Sequence, residues 1–160
     1  MIELTGNMAG NIPFSILMAD DDPDDRMLAE EALAECRIRN RMQFVEDGEA
    51  LLDYLKRRGR YKDPAASPRP GLILLDWNMP RKSGAEALQE IKSEPDLRSI
   101  PVIVLTTSNA EEDIAQAYQL GANSYITKPV TFDGLVEVMR GLKLFWLEIV
   151  AIPLPDQHSV

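Results

Sequence analysis

One cysteine and one histidine are all that this 160-residue chain holds of those two types. Cys36 alone cannot close an intramolecular disulfide. His158, two residues from the C-terminus, cannot supply a His-rich metal centre or a Ser-His-Asp triad in the usual way. What remains for chemistry is carboxylate, lysine, hydroxyl and metal. Basic charge is also scarce: 17 Lys and Arg stand against 26 Asp and Glu, for a net charge of −9. That balance removes the electrostatic footprint of a nucleic-acid or anionic-membrane binder and favours cations or basic protein surfaces as partners. No apolar run reaches the roughly 18 residues of a membrane helix, and the start MIELTGNMAGNIPF lacks the charged n-region and long apolar h-region of a signal peptide. A cytoplasmic, soluble protein is the expectation. With 45% hydrophobic and 27% charged residues the chain suits one globular domain.

What is present is a set of short, continuous apolar runs. SILMAD (15–20), LILLD (72–76) and VIVLT (102–106) each end in a polar residue, and their unbroken patterning predicts strands buried on both faces, as in a parallel sheet. MQFVE (42–46) and SYIT (124–127) are weaker runs of strand length. Between them lie helical patterns. In DPDDRMLAEEALAECR, Asp22 is placed as N-cap and Pro23 at the first helical position, with Leu28, Ala32 and Cys36 on one stripe. GEALLDYLKRRG (48–59), SGAEALQEIKS (83–93) and AEEDIAQAYQLG (110–121) follow, the last with Ile114, Ala117 and Tyr118 on its stripe. A fifth helix begins near Thr131 and runs through FDGLVEVMRGLKLFW. Alternation of five strands and five helices predicts an α/β, doubly wound, flavodoxin-like fold with a five-stranded parallel sheet of order 2-1-3-4-5. GRYKDPAASPRPG (59–71) reads as the one linker-like stretch.

Such a fold gathers the residues at the carboxyl ends of its strands. Asp20 and Asp21 follow the first strand, Asp76 the third, Thr106 the fourth, and Lys128 lies just past the fifth. Three carboxylates aimed at one point raise one another's pKa unless a hard divalent cation joins them, and all-oxygen ligation suits Mg²⁺. Carboxylate, Mg²⁺, lysine and hydroxyl together are what phosphoryl transfer to an aspartate requires. Asp76 would be the nucleophile, Lys128 and the metal would neutralise the transferring oxygens, and Thr106 would donate a hydrogen bond to one of them.

ADDD (19–22), LLDWNMP (74–80), VLTTS (104–108) and SYITKP (124–129), in that order, resemble the motifs of a response-regulator receiver domain over roughly residues 14 to 145. The resemblance implies a domain spanning 14–146, preceded by a flexible segment (1–13) and followed by a C-terminal extension (147–160). It further implies that Asp76 is phosphorylated by a sensor histidine kinase, and that Asp21 and Asp76 bind Mg²⁺ with the backbone carbonyl of Asn78. Asp20 would act mainly through a metal-bound water. Thr106 and Tyr125 fall on the family's switch positions, and Asn78 and Ser108 border the path of water toward a phosphoaspartate, where they would tune its lifetime. The long 59–71 segment and the tail LKLFWLEIVAIPLP resemble stand-alone regulators of phytochrome-type kinases. About 15 residues after the fifth helix are too few for a DNA-binding domain, so output is expected through protein contact or onward phosphotransfer.

Competing readings of the same residues are weaker. Asp20, Asp22, Asp24 and Glu31 fall at positions 1, 3, 5 and 12 of a calcium loop, but Asp25 stands where that loop needs glycine. Asp22, Asp24 and Asp25 are better explained as acids at a helix N-terminus. A haloacid-dehalogenase-type phosphohydrolase needs a second Asp two residues after its nucleophile, where this chain has Asn78. A flavodoxin-like nucleotide binder would have its phosphate repelled by the acidic run. An unphosphorylated receiver-like interaction module is disfavoured because every chemical position is filled. Trp77 is expected as a partly exposed neighbour of the site. At the C-terminus, Leu135, Val138, Met139, Leu142, Phe145, Trp146 and Ile149 keep helical spacing, by default that of core packing, while Leu144 and Leu147 add a second apolar face beyond what one sheet contact would cover. This excess predicts a homodimer through Leu142, Phe145, Trp146 and Ile149.

Overall fold

The structure, a computed structural model, describes residues 14–149, the last three by their backbone alone. The expectations for segment 1–13, for the 150–160 tail and for the Leu147 and Ile149 side chains lie outside the described residues. Five strands alternate with five helices: β1 (Ser15–Ala19), α1 (Pro23–Glu35), β2 (Met42–Val45), α2 (Gly48–Leu55), β3 (Pro70–Leu75), α3 (Gly84–Ser93), β4 (Val102–Thr106), α4 (Glu111–Gln119), β5 (Ser124–Thr127) and α5 (Phe132–Leu142). All strand pairs are parallel and the sheet order is β2-β1-β3-β4-β5, as the sequence pattern predicts.

The apolar runs are continuous because the sheet is covered on both sides. Successive side chains of a strand point to opposite faces, so Leu17, Ile73, Leu75 and Val104 pack under α2, α3 and α4. Ile16, Met18, Leu72, Leu74 and Ile103 pack under α1 and α5. Each fully buried aliphatic side chain contributes about 1.5–3 kcal/mol over its exposed state.

Helix starts follow local chemistry. Asp22 accepts the Asp24 N–H at 2.9 Å ahead of Pro23, Asp47 accepts the Ala50 N–H at 2.7 Å, and Thr131 accepts the Gly134 N–H at 3.0 Å. Ser83 and Glu86 form a reciprocal capping box. At the start of α2, Gly48 donates to the Lys82 carbonyl at 3.1 Å, and a Cβ at position 48 would lie 2.2 Å from that oxygen. Only glycine lets the loop after β3 press so closely on α2.

Three local expectations are corrected. The 59–71 stretch is no linker: the Tyr54 hydroxyl donates to the Pro68 carbonyl at 2.8 Å, the Arg57 guanidinium to the Ser67 carbonyl at 3.2 Å, and Pro70 and Gly71 already belong to β3. Tyr118, expected on the buried stripe of α4, is exposed, because that helix covers the sheet edge chiefly through Ala117. At the C-terminus α5 ends at Leu142 and the winding widens to a π-helix over Lys143–Ile149. The wider turn shifts the phase of the apolar stripe. Leu142, the last residue of α5, and Trp146 are buried in the chain's own core, where the sequence also placed them at a dimer contact, while Phe145 and Leu144 are 51% and 58% exposed. Among the described residues no helix is long and apolar enough to cross a membrane.

Candidate functional site

The carboxyl edge of the sheet collects the site because three central strands end there in register. Leu75 lies opposite Ala19 on one side and Val104 on the other, so the residues that follow β1 and β3 and the last residue of β4 share one edge. Carboxylate oxygens of Asp20, Asp21 and Asp76 lie within 4.8 Å of one another. Asp20 and Asp76 are buried, and Asp21 is exposed at the mouth. Both oxygens of Asp20 are engaged: Oδ1 accepts the Asp22 N–H at 2.9 Å and Oδ2 accepts from Lys128 Nζ at 2.5 Å. The Asp20 carbonyl accepts from Arg26 Nη1 at 2.6 Å, which ties the strand end to α1.

Lys128 is aimed by its backbone, whose N–H donates to the Thr106 carbonyl at 2.7 Å. Its ammonium reaches Asp20, then Asp25 at 2.7 Å and Asp76 at 3.8 Å. Burial disfavours the charge on Lys128, and the hydrogen bonds to Asp20 and Asp25 outweigh it, leaving its pKa above the ordinary lysine value. Burial likewise lifts the Asp20 carboxyl above the usual carboxylate range, against the pull of the Lys128 and Asp22 hydrogen bonds.

Thr106 is fully buried and its hydroxyl has no hydrogen-bond partner. A buried hydroxyl left unpaired costs about 1–3 kcal/mol, and of the three unpaired buried side-chain atoms among the described residues, on Ser15, Asn40 and Thr106, only that of Thr106 is at the edge where Asp76 and Lys128 meet. Beside it, Tyr125 is half-buried. Its hydroxyl donates to the Ser108 carbonyl at 2.9 Å, and its N–H donates to the Tyr118 hydroxyl at 3.0 Å. Ser108 Oγ is already committed to Asp113 Oδ2 at 2.5 Å. Asn78 is exposed on the loop after β3.

Trp77 is a correction: it is only 4% exposed, not partly exposed. It continues the face of Ile73 and Leu75, and strand alternation alone carries its indole into the core under α2 and α3. Asp25 was missed as a member of the site. It stands on the first turn of α1 and turns back over the strand ends to pair with Lys128. A cleft of about 540 Å³ beside Asp47, Tyr61 and Arg81 does not include the acidic trio. Its charges are largely internal, since Arg81 grips Asp47 and Arg58 pairs with Asp53.

A doubly wound sheet of this order, with an acidic trio at its carboxyl edge, a lysine after β5 and an orphan hydroxyl on the last residue of β4, defines a phosphoacceptor class of domain. The chain belongs to the response regulator receiver domain family, which matches residues 16–140. Response regulator Rcp1 of Synechocystis sp. is 43% identical over 143 residues, covering 89% of this chain and 95% of that one. The Mn²⁺-bound form of Rcp1 superposes with a TM-score of 0.81 at 42% identity, covering 89% of this chain and all of that one. Response regulator RPA3017, in red light signaling of R. palustris, superposes at 0.83 with 35% identity, covering 88% and 98%.

The pKa of Asp20 yields a stability prediction. A raised native pKa means that the folded state holds the proton more tightly than the unfolded chain does. That contribution is complete below the ordinary value of 3.8 and is lost as pH rises through the native value. At neutral pH the ionised Asp20 carboxylate therefore weakens the metal-free fold. The metal-free fold should lose stability in urea unfolding as pH rises from 4 to 7, and Asp20→Asn should flatten that dependence.

Proposed function

We propose that Asp76 accepts a phosphoryl group from the phosphohistidine of a sensor kinase, in a Mg²⁺-dependent reaction, and that the change in charge resets the surface around β4, α4 and β5. The observation that carries this reading is the Thr106 hydroxyl, fully buried and unpartnered at the edge where Asp76 and Lys128 meet. In the transfer the P–N bond of the donor breaks as a P–O bond to an Asp76 oxygen forms, and the electron pair of the broken bond returns to the imidazole nitrogen.

The donor set fits a hard divalent cation, being three carboxylates with converging oxygens and no sulfur or imidazole. Asp20, Asp21 and Asp76, with the Asn78 carbonyl, would hold Mg²⁺, Asp20 mainly through a water. The ion's contribution there is neutralisation of charge on the transferring oxygens. Lys128 supplies the second positive charge from the opposite side, and Thr106 donates to a phosphoryl oxygen. The hydroxyl's inward shift vacates space next to Tyr125, whose bond to the Ser108 carbonyl then breaks as the ring turns in. Asn78 and Ser108 border the approach of water and tune the lifetime of the phosphoaspartate. The chain is thus a phosphoacceptor that assists its own phosphorylation and dephosphorylation, not an enzyme acting on other molecules.

Similarity to Rcp1 and to RcpA, a cyanobacterial phytochrome response regulator, supports a phytochrome-type histidine kinase as donor, in the cytoplasm. Receiver 14–146 would pass its state to a downstream protein or phosphotransfer partner, with no role for nucleic acid or membrane. Exposed Leu144 and Phe145, leading into the 147–160 extension, support a homodimer contact there.

Tryptophan fluorescence should respond to Mg²⁺ and then to beryllofluoride in the wild type, and the beryllofluoride step should vanish in Asp76→Asn. A silent wild type, or an identical response in the variant, would sink the phosphoacceptor reading. For the dimer, analytical ultracentrifugation of Phe145→Glu should shift the chain toward monomer without unfolding it, since that side chain lies outside the core.

A further inference from the structure

Asp25 holds Lys128 from outside the metal cluster. A lysine ammonium has three N–H donors on a flexible four-carbon stem, and its direction is defined only by the acceptors that engage it. Here two acceptors do so, Asp20 Oδ2 at 2.5 Å and Asp25 Oδ2 at 2.7 Å, while Asp76 Oδ2 waits at 3.8 Å, within ion-pair reach but short of a hydrogen bond. Asp20 belongs both to this lysine and to the trio of converging carboxylates, whereas Asp25 belongs to the lysine alone. The Asp25 contact joins α1 to the segment after β5 across 103 residues of sequence. It is sheltered: Lys128 is 11% exposed and Asp25 32%. Met18, Leu28, Leu105, Pro129 and Phe132 line the small cavity, about 150 Å³, that both residues border. In such surroundings a charge-assisted bond directs more strongly than a surface ion pair.

We propose that Asp25 is a positioning residue for phosphoryl transfer, anchoring the Lys128 ammonium from α1 so that its remaining N–H faces Asp76 as that side chain gains phosphoryl charge. The inference rests on the reading of Asp76 as the acceptor. A purely capping role for Asp25 at the start of α1 would affect stability and leave the rate of transfer untouched.

Acetyl phosphate with Mg²⁺ serves as donor, and the initial rate of phosphoprotein formation is read by intact-protein mass spectrometry. Asp25→Asn should slow it about fivefold and Asp25→Glu should recover most of the loss, while Mg²⁺ affinity read by tryptophan fluorescence stays at the wild-type value in both. An Asp25→Asn rate equal to or above the wild type, a Glu variant no better than Asn, or a parallel fall in Mg²⁺ affinity would overturn the proposal. A wild type that never gains a phosphoryl group overturns the acceptor reading and this inference together. A reacting wild type with an indifferent Asp25→Asn overturns the inference alone.

Discussion

Repulsion among the carboxylates of Asp20, Asp21 and Asp76, held within 4.8 Å of one another, is the constraint around which the upper edge of the molecule is arranged. A folded chain tolerates such crowding only when fixed positive charge and fixed donors stand against it. Lys128 meets the buried side of the cluster, the Asp22 N–H takes one oxygen of Asp20, and Arg26 binds the Asp20 carbonyl. The open side is left to a cation. The arrangement is a compromise between stability and reactivity, because an apolar strand edge would fold more firmly and do nothing.

Strand register converts this local tension into a device that can report. Asp76 follows β3, Thr106 ends the neighbouring β4, and Val104 lies opposite Tyr125 on β5, so on the proposed reading charge gained at Asp76 reaches β4 and then β5 without any long pathway. The Thr106 hydroxyl has no partner, and the Tyr125 hydroxyl is held by the Ser108 carbonyl while its ring packs against the edge of the core. Under that proposal small displacements at this pair change which groups α4 and β5 present.

Much of this was legible in the residues. Continuous Ile, Leu and Val runs show parallel strands because helices cover both faces, and a polar residue after each run marks the edge where ligands bind. Asp20, Asp76, Thr106 and Lys128 could therefore be brought together by topology alone. Trp77 was misplaced because its position beside Asp76 suggested the mouth of the site, although period-two alternation from Ile73 and Leu75 carries it inward. Asp25 was hidden by a sufficient explanation: an acid on the first turn of a helix already has a reason to exist. Only the fold brings Lys128 within reach of that turn. The change to π winding after Leu142 left no mark in the apolar spacing, so the phase of Phe145 and Trp146 could not be read from it.

The central claim is that one oxygen of one aspartate takes the phosphoryl group, and borohydride trapping tests it most directly. An acyl phosphate is reduced at its carbonyl, leaving homoserine in place of the modified aspartate, which peptide mass spectrometry locates. The account predicts a single reduced position, Asp76, dependent on a divalent cation. Reduction at Asp20 or Asp21, or no reduced residue after treatment with donor and Mg²⁺, would contradict it.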